Sequence, residues 1–154
     1  MDQSPPQIRH HRFAELDPHV AYRLWALRSE VFVVEQEAAY LDLDGRDVEP
    51  GTRHLWCADA SGEPVATLRV LDDGGDGVWR VGRVATARTH RGRGLAAAMV
   101  REVVALYSDR AIVLDAQSHL RDWYAGFGFT VTGAEYVDED GIPHVPMRRE
   151  AERA

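Results

Sequence analysis

The run Arg91-Gly92-Arg93-Gly94-Leu95-Ala96 carries the strongest chemical signal in the chain. Glycines without a Cβ let backbone N–H groups close on a bulky anion. A helix starting at Leu95 would direct the positive end of its dipole at the same point. Ala96 and Ala97 keep the first turn uncrowded, and the guanidinium groups of Arg91 and Arg93 add charge-assisted bonds to phosphate oxygens. A glycine pair alone would as readily start a helix and do nothing more; flanking arginines, a strand before and a helix after favour a pyrophosphate site. Arg80, Arg83, Arg88, Arg91 and Arg93 crowd into one stretch of a chain whose net charge is −7. A basic strip in an acidic protein suggests an anionic ligand there.

The same letters fit a dinucleotide fingerprint, Gly92-x-Gly94-x-x-Ala97, with Asp115 about 20 residues further on. Two features oppose that reading. A polar, basic connection from Thr86 to Arg91 stands where a dinucleotide fold runs its glycines directly off an apolar strand. The segment also follows an antiparallel meander that a doubly wound sheet does not need.

The elements that must position this loop can be read from periodicity. Residues 8–14 read as a first strand. Asp17 followed by Pro18 is a helix start, an N-cap carboxylate with proline at the first helical position. Val20, Leu24, Leu27, Val31 and Val34 continue it at helical spacing to about Glu35. Residues 38–53, polar and rich in Asp and Gly, read as a long loop with room for a short helical turn. Strands are expected at 54–58, 64–71 and 78–85, with turns that join antiparallel neighbours. A helix over 95–107, a strand over 112–116, a helix over 119–126 and strands over 127–136 and 144–148 complete the order. The pattern predicts the mixed α/β (α+β) class: a central, mostly antiparallel sheet of about seven strands with flanking helices.

The 154 residues fit a single domain, 1–154, with a flexible lead over 1–7. No apolar run is long enough to cross a bilayer, and the first residues lack the basic and apolar regions of a signal peptide. The expectation is a cytoplasmic protein without a membrane partner. Cys57 is the only cysteine, which excludes an intrachain disulfide and speaks against structural zinc. The acidic balance speaks against nucleic acid as the main partner. Every basic residue is an arginine, so a lysine nucleophile or Schiff base is excluded.

Arg91-x-x-Gly94-x-Ala96 resembles the Q/R-x-x-G-x-G/A motif of the GNAT superfamily of N-acetyltransferases. Trp123-Tyr124-Ala125-Gly126-Phe127-Gly128-Phe129 resembles that family's later signature, an aromatic-Tyr pair followed by Gly-Phe. Within the superfamily the chain looks most like the ElaA-type acetyltransferases. That resemblance rests on Arg28-x-x-Val31-Phe32-Val33-Val34-Glu35-Gln36, Asp42-x-Asp44-Gly45-x-Asp47, Gly82-Arg83-Val84, Ala116-Gln117-x-His119-Leu120 and Glu139-Asp140-Gly141-Ile142-Pro143-His144.

The resemblance implies acetyl-CoA as acetyl donor, no metal, and a fourth strand that splays from a parallel fifth. In that fold the pantetheine arm lies in the gap and pairs with exposed backbone at Val84, Ala85 and Thr86, with an N–H near Val84 as oxyanion donor. The pyrophosphate would lie on Arg91, Gly92, Arg93, Gly94, Leu95, Ala96 and Ala97. Tyr124 matches the tyrosine proposed as acid to the departing thiolate; the alternative is an aromatic packed on Phe127 and Phe129.

An alkyl amine with a pKa of about 10.4 must lose its proton, at roughly 4.6 kcal/mol at neutral pH. Many relatives place a glutamate on the fourth strand for this, where the present chain has Trp79, Arg80, Val81, Gly82 and Arg83. Glu35, His119 and His144 are the candidate bases, each with a structural alternative. Arg28, Glu35 and His144 are candidate acceptor contacts, although Arg28 could equally pair with Glu35 or an aspartate of the next loop. Asp42, Asp44, Asp47 and Glu49 could draw in a cationic amine or be an ordinary solvated loop; their spacing does not complete a calcium loop. Asp115 reads as an arginine's partner.

The expected function is acetyl transfer to a primary amine of a small molecule or peptide by direct attack, in a molecule able to form a homodimer. Two alternatives are kept: an acyl-homoserine lactone synthase-like acyltransferase, from the Arg28-to-Phe32 segment followed by spaced aspartates, and a non-catalytic acyl-CoA-binding sensor, from the missing fourth-strand carboxylate.

Overall fold

The computed structural model describes residues 6–152. Most of the lead expected to be flexible, residues 1–5, lies outside the described residues. Among the described residues eight strands form one sheet, the first five neighbouring one another in sequence order and the last in sequence pairing with the fifth and with the two short strands that precede it. No helix among the described residues is long and apolar enough to cross a membrane.

Strand β1 (Arg9–His11) is shorter than expected, because the chain turns into a single helical turn at Phe13–Glu15. Helix α1 (Pro18–Ser29) starts as expected, with the Asp17 carboxylate accepting the His19 N–H at 2.9 Å. At Glu30–Glu35 the helix widens into a π-helical stretch. Widening rotates the later side chains away from an ideal 3.6-residue stripe. Leu24, Leu27 and Val31 are buried as expected, but Val34 turns out to solvent at 69 % exposure and Phe32 goes inward instead.

Strands β2 (Arg53–Ala58), β3 (Pro64–Asp73) and β4 (Val78–Thr86) form the antiparallel meander. Helix α2 (Leu95–Tyr107) packs Met99, Val100 and Val103 into the main core. Strand β5 (Ala111–Gln117) pairs parallel to β4, and α3 (Arg121–Ala125) comes after a tight turn at Ser118–Leu120. The long strand expected over 127–136 is instead two short pieces, β6 (Thr130–Val131) and β7 (Tyr136–Val137), both against β8 (Pro143–Arg149). Pro146 explains the break: its carbonyl accepts the Thr132 N–H at 2.9 Å, but proline has no N–H to return to the ladder.

One defect positions the cleft. Between Thr67 and Arg69 of β3 the register with β4 shifts by a residue, a bulge at Arg83-Val84 opposite Leu68, with Arg83 in left-handed backbone at φ 53°. A bulge bends its strand and increases its twist. The parallel pairing of β4 with β5 covers only Val78↔Ala111, Trp79↔Ile112 and Arg80↔Val113, and ceases just before the bulge. Beyond it β4 runs on to Thr86 and β5 to Gln117 without pairing to each other, which opens a wedge between two adjacent strands.

Candidate active site

The wedge is the mouth of a cleft of about 860 Å³. Its floor is β4 from Arg80 to Thr86; its walls are the π-helical stretch, the start of α2, the end of β5, α3 and the β7–β8 turn. Of the candidate site residues, Glu35, Val84, Ala85, Thr86, Arg91, Ala96, His119, Tyr124 and His144 line it together. Arg28 does not.

The arginine-glycine loop bends tightly into α2. Gly92 and Gly94 both have φ near +76°, a region that residues with a Cβ rarely adopt, and a Cβ built on either would meet nothing within 4 Å. The glycines are therefore required by backbone conformation, and the space beside them is open to a ligand. The Gly94 carbonyl accepts the Ala98 N–H at 3.0 Å, so the helix begins immediately after the second glycine. The N–H groups of its first turn have no partner within the helix, as at any helix N-terminus, and a helix N-terminus is the kind of donor set that suits an anion.

The basic strip divides. Arg91 donates from Nη2 to the Glu35 carboxylate at 2.7 Å and from Nε to the Thr86 carbonyl at 3.0 Å. These bonds tie the loop to both the first helix and the splayed strand, and they give Glu35 an ion partner. Arg93 is held to the Thr89 carbonyl at 3.4 Å, and Arg88 approaches Glu35 at 3.8 Å. Arg80 and Arg83 point the other way, Arg80 to Asp73 and Asp115 and Arg83 to Asp42 of the acidic loop.

Those acidic residues are clasped by arginine. Arg28, 1 % exposed, donates from Nε to Asp42 at 2.9 Å and from Nη1 to Asp47 at 2.7 Å. Arg69 reaches Asp44 at 2.6 Å and Asp47 at 3.1 Å. Arg83 Nε lies 2.8 Å from Asp42 Oδ1, off the hydrogen-bond axis, while its Nη2 donates to the Asp42 carbonyl at 3.0 Å. Burial pushes the Asp47 carboxyl up, yet bonds and charge from Arg28 and Arg69 carry it below the usual range. Bonding to Arg69, against burial, likewise holds Asp44 low. Residues 38–52 are thus bolted to α1 and the sheet, and of the two readings of Arg28 the structure shows the pairing with aspartates of the next loop rather than a contact at the acceptor mouth. Asp115 pairs with Arg80 at 3.3 Å, as its position suggested.

Tyr124 is 6 % exposed and its ring packs edge-on against Trp123 at 4.9 Å and Phe129 at 6.1 Å. Burial pushes its phenol up to about 12, so it stays protonated and a donor at neutral pH. His119 is exposed at the rim. His144, 7 % exposed, faces the cleft with Nδ1 2.7 Å from the Ile142 carbonyl. Among the described residues no group of three His, Cys, Asp or Glu is placed to hold a metal ion.

Several lining residues had no role assigned from sequence: Gln36, Gln117, Glu139 and Asp140 entered only as part of the resemblance, and Tyr40 and Asp138 were not singled out. Arg69 was missed as a clasp residue, although a lone charge inside the apolar run Val65 to Leu71 marked it as a buried ion with a partner elsewhere.

The family model described as "Acetyltransferase (GNAT) domain" matches residues 27–151. This chain belongs to the GNAT acetyltransferase family. Among its GNAT relatives, the protein ElaA of Escherichia coli K12 is 37 % identical over 156 residues, covering 96 % of this chain and 97 % of its own. The UPF0039 protein Mb2876c of Mycobacterium bovis is 44 % identical over 137 residues, covering 88 % and 87 % of the two chains. A crystal structure of an acyl-CoA N-acyltransferase from Pseudomonas aeruginosa superposes with a TM-score of 0.84 at 35 % identity, covering 94 % of this chain and 99 % of that one. The fold is the GNAT acyltransferase fold, with the splayed strand pair that the sequence resemblance implied.

Proposed function

We propose that the protein transfers the acetyl group of acetyl-CoA to a primary amine of a small molecule or peptide by direct attack, as a cytoplasmic enzyme. The observation that carries this reading is the wedge itself: β4 offers unpaired backbone over Val81 to Thr86 on one side of a cleft that also holds Tyr124, with an anion-binding helix start at its end. An extended pantetheine arm would add to β4 as a strand adds to an exposed edge. The pyrophosphate would meet the backbone N–H groups after Gly94, and an N–H near Val84 would donate to the oxyanion as the carbonyl becomes tetrahedral. Tyr124 would then give its proton to the departing thiolate.

Mixing the protein with acetyl-CoA and a panel of primary amines, and following release of free thiol, tests the proposal. Thiol released in proportion to acetylated amine is the expected result. Tight acetyl-CoA binding with no thiol released from any amine would make the protein a sensor instead.

The loop gives two separable expectations. Gly94→Val forces a β-branched residue into left-handed backbone and fills the open space, so acetyl-CoA affinity by calorimetry should fall at least tenfold, about 1.4 kcal/mol. Arg91→Ala should also weaken acetyl-CoA binding. Its exposed pair with Glu35 is worth little, so the unfolding free energy should stay within about 1 kcal/mol of wild type. Unchanged affinity in both variants would remove the pyrophosphate from this loop.

A further inference from the structure

The geometry points to His144 as the base that takes the proton from the attacking amine, with Asp140 holding the charge that then forms. This inference rests on the acetyl-transfer reading above and fills its open position, since β4 carries no carboxylate where the amine must be deprotonated.

Four observations converge on this residue. First, its tautomer is set. Nδ1 lies 2.7 Å from the Ile142 carbonyl, an oxygen that can only accept, so Nδ1 carries the hydrogen and Nε2 keeps its lone pair. Second, that lone pair is uncommitted: Nε2 makes no hydrogen bond, although the residue is more than nine-tenths buried and lines the cleft. Third, the orientation is braced. The ring stacks on Tyr136 at 6.0 Å with 24° between planes, and His144 sits opposite Gln117 in the β5–β8 register. Fourth, a compensating charge stands ready: Asp140 Oδ2 is 3.7 Å from Nε2, and Asp140 Oδ1 is fixed by the Ile142 N–H at 2.8 Å.

The surrounding charges agree. From β7 the Tyr136 phenol is pushed up by burial and by its bond to Asp115, so it stays neutral beside the ring. From β5 comes the uncharged Gln117, with Asp115 already paired to Arg80. From the turn come Asp138, Glu139 and Asp140. Glu35, Asp44 and Asp115 on the other walls have arginine partners, but none of these three has an arginine within 4.0 Å among the described residues. The turn therefore presents net negative charge to an arriving ammonium group, beside an imidazole with a free lone pair.

The step balances simply. The ammonium loses one proton to Nε2, and the neutral nitrogen forms the new C–N bond as the carbonyl oxygen takes up charge. The C–S bond then breaks and the sulfur leaves with the Tyr124 proton. The second amine proton replaces the one Tyr124 gave up, and Nε2 returns its proton to solvent.

The test uses the full chain with acetyl-CoA and two nucleophiles: spermidine, which arrives charged, and hydroxylamine, which is already neutral at about pH 7. With spermidine His144→Gln should lower kcat by about 10²-fold or more and abolish the acid-side fall of the pH–rate profile, while acetyl-CoA affinity is unchanged. With hydroxylamine its loss should be less than about tenfold, because no proton need be removed before attack. Asp140→Asn, in a surface turn that tolerates substitution, should move the acid-side fall to lower pH. It guards against misfolding in the buried variant. If wild type turns over spermidine and His144→Gln matches it, the base role is wrong and acetyl transfer stands. Equal losses with both nucleophiles would make His144 structural. If wild type releases thiol with neither, the acetylation reading fails and the base role with it.

Discussion

Tyr124→Phe should lower kcat for acetyl transfer by about 10²-fold or more while leaving the dissociation constant for acetyl-CoA within about threefold. The change removes one oxygen and keeps the ring that packs on Trp123 and Phe129. A phenol at about 12 is a weaker acid than an ordinary thiol at about 8.5, and full proton transfer across that gap would be costly. The gap narrows inside the protein. Burial alone pushes the Cys57 thiol up to about 11, so a thiolate leaving in an equally dry cleft would be nearly matched to the phenol. The same shift has a stability consequence of known sign. The Tyr124 contribution is full below its unfolded pKa of about 10 and is lost as pH rises towards about 12. Tyr124 should therefore add no alkaline limb to the rate below about pH 10. A Phe variant with wild-type kcat, or one that loses only acetyl-CoA affinity, would reduce Tyr124 to a packing residue. Steady-state thiol release and calorimetry on the same preparation distinguish these results.

Arg28→Ala should destabilise the fold by about 3–5 kcal/mol at neutral pH, the usual loss when one member of a buried ion pair is removed. The guanidinium sits between Asp42 and Asp47, both buried, and its removal leaves negative charge in a dry place with only Arg69 and Arg83 to answer it. For a chain of this length the midpoint of thermal unfolding should fall by roughly 10 °C. The direction of the Asp47 shift fixes the pH dependence. A depressed carboxyl contributes stability above its unfolded pKa and loses it as pH falls through the folded value. The gap between wild type and variant should therefore be full above about pH 4 and shrink in stronger acid. Because the anchored loop brings Tyr40, Leu41 and Asp44 to the cleft, the variant should also raise KM for the amine more than for acetyl-CoA. A stability loss under about 1 kcal/mol would mean that the clasp is redundant.

Local signals were legible because they depend on few residues. Asp17-Pro18 favours a helix start, and the glycines at 92 and 94 suit a left-handed turn that residues with a Cβ rarely adopt. The limits of α2 come from uninterrupted apolar periodicity. The failures share a different cause: each depends on a partner distant in sequence. The break between β6 and β7 is dictated by Pro146 on the neighbouring strand. Phe32 replaces Val34 in the core because the helix widens against the sheet. Arg80 and Arg83 resembled phosphate ligands because the aspartates that claim them lie on other elements. Tyr124 and His144 stood out as residue types, but the free nitrogen of His144 did not, since it depends on a carbonyl accepting from the other one.

The arginine clasp has a chemical corollary. Acetyl thioesters react slowly with any unprotonated alkylamine, and lysine is the side chain that offers one. This chain has none: arginine fills every position that a lysine or arginine could, its guanidinium groups remain protonated and non-nucleophilic at neutral pH, and its seven histidines carry imidazole rather than alkylamine nitrogen. If acetyl-CoA is the donor proposed above, building the ion pairs at Arg28, Arg69, Arg80 and Arg83 from arginine keeps them out of its reach. Prolonged incubation with acetyl-CoA should leave every internal side-chain nitrogen unmodified by intact-mass measurement, so the bolts of the cleft are proof against self-acetylation.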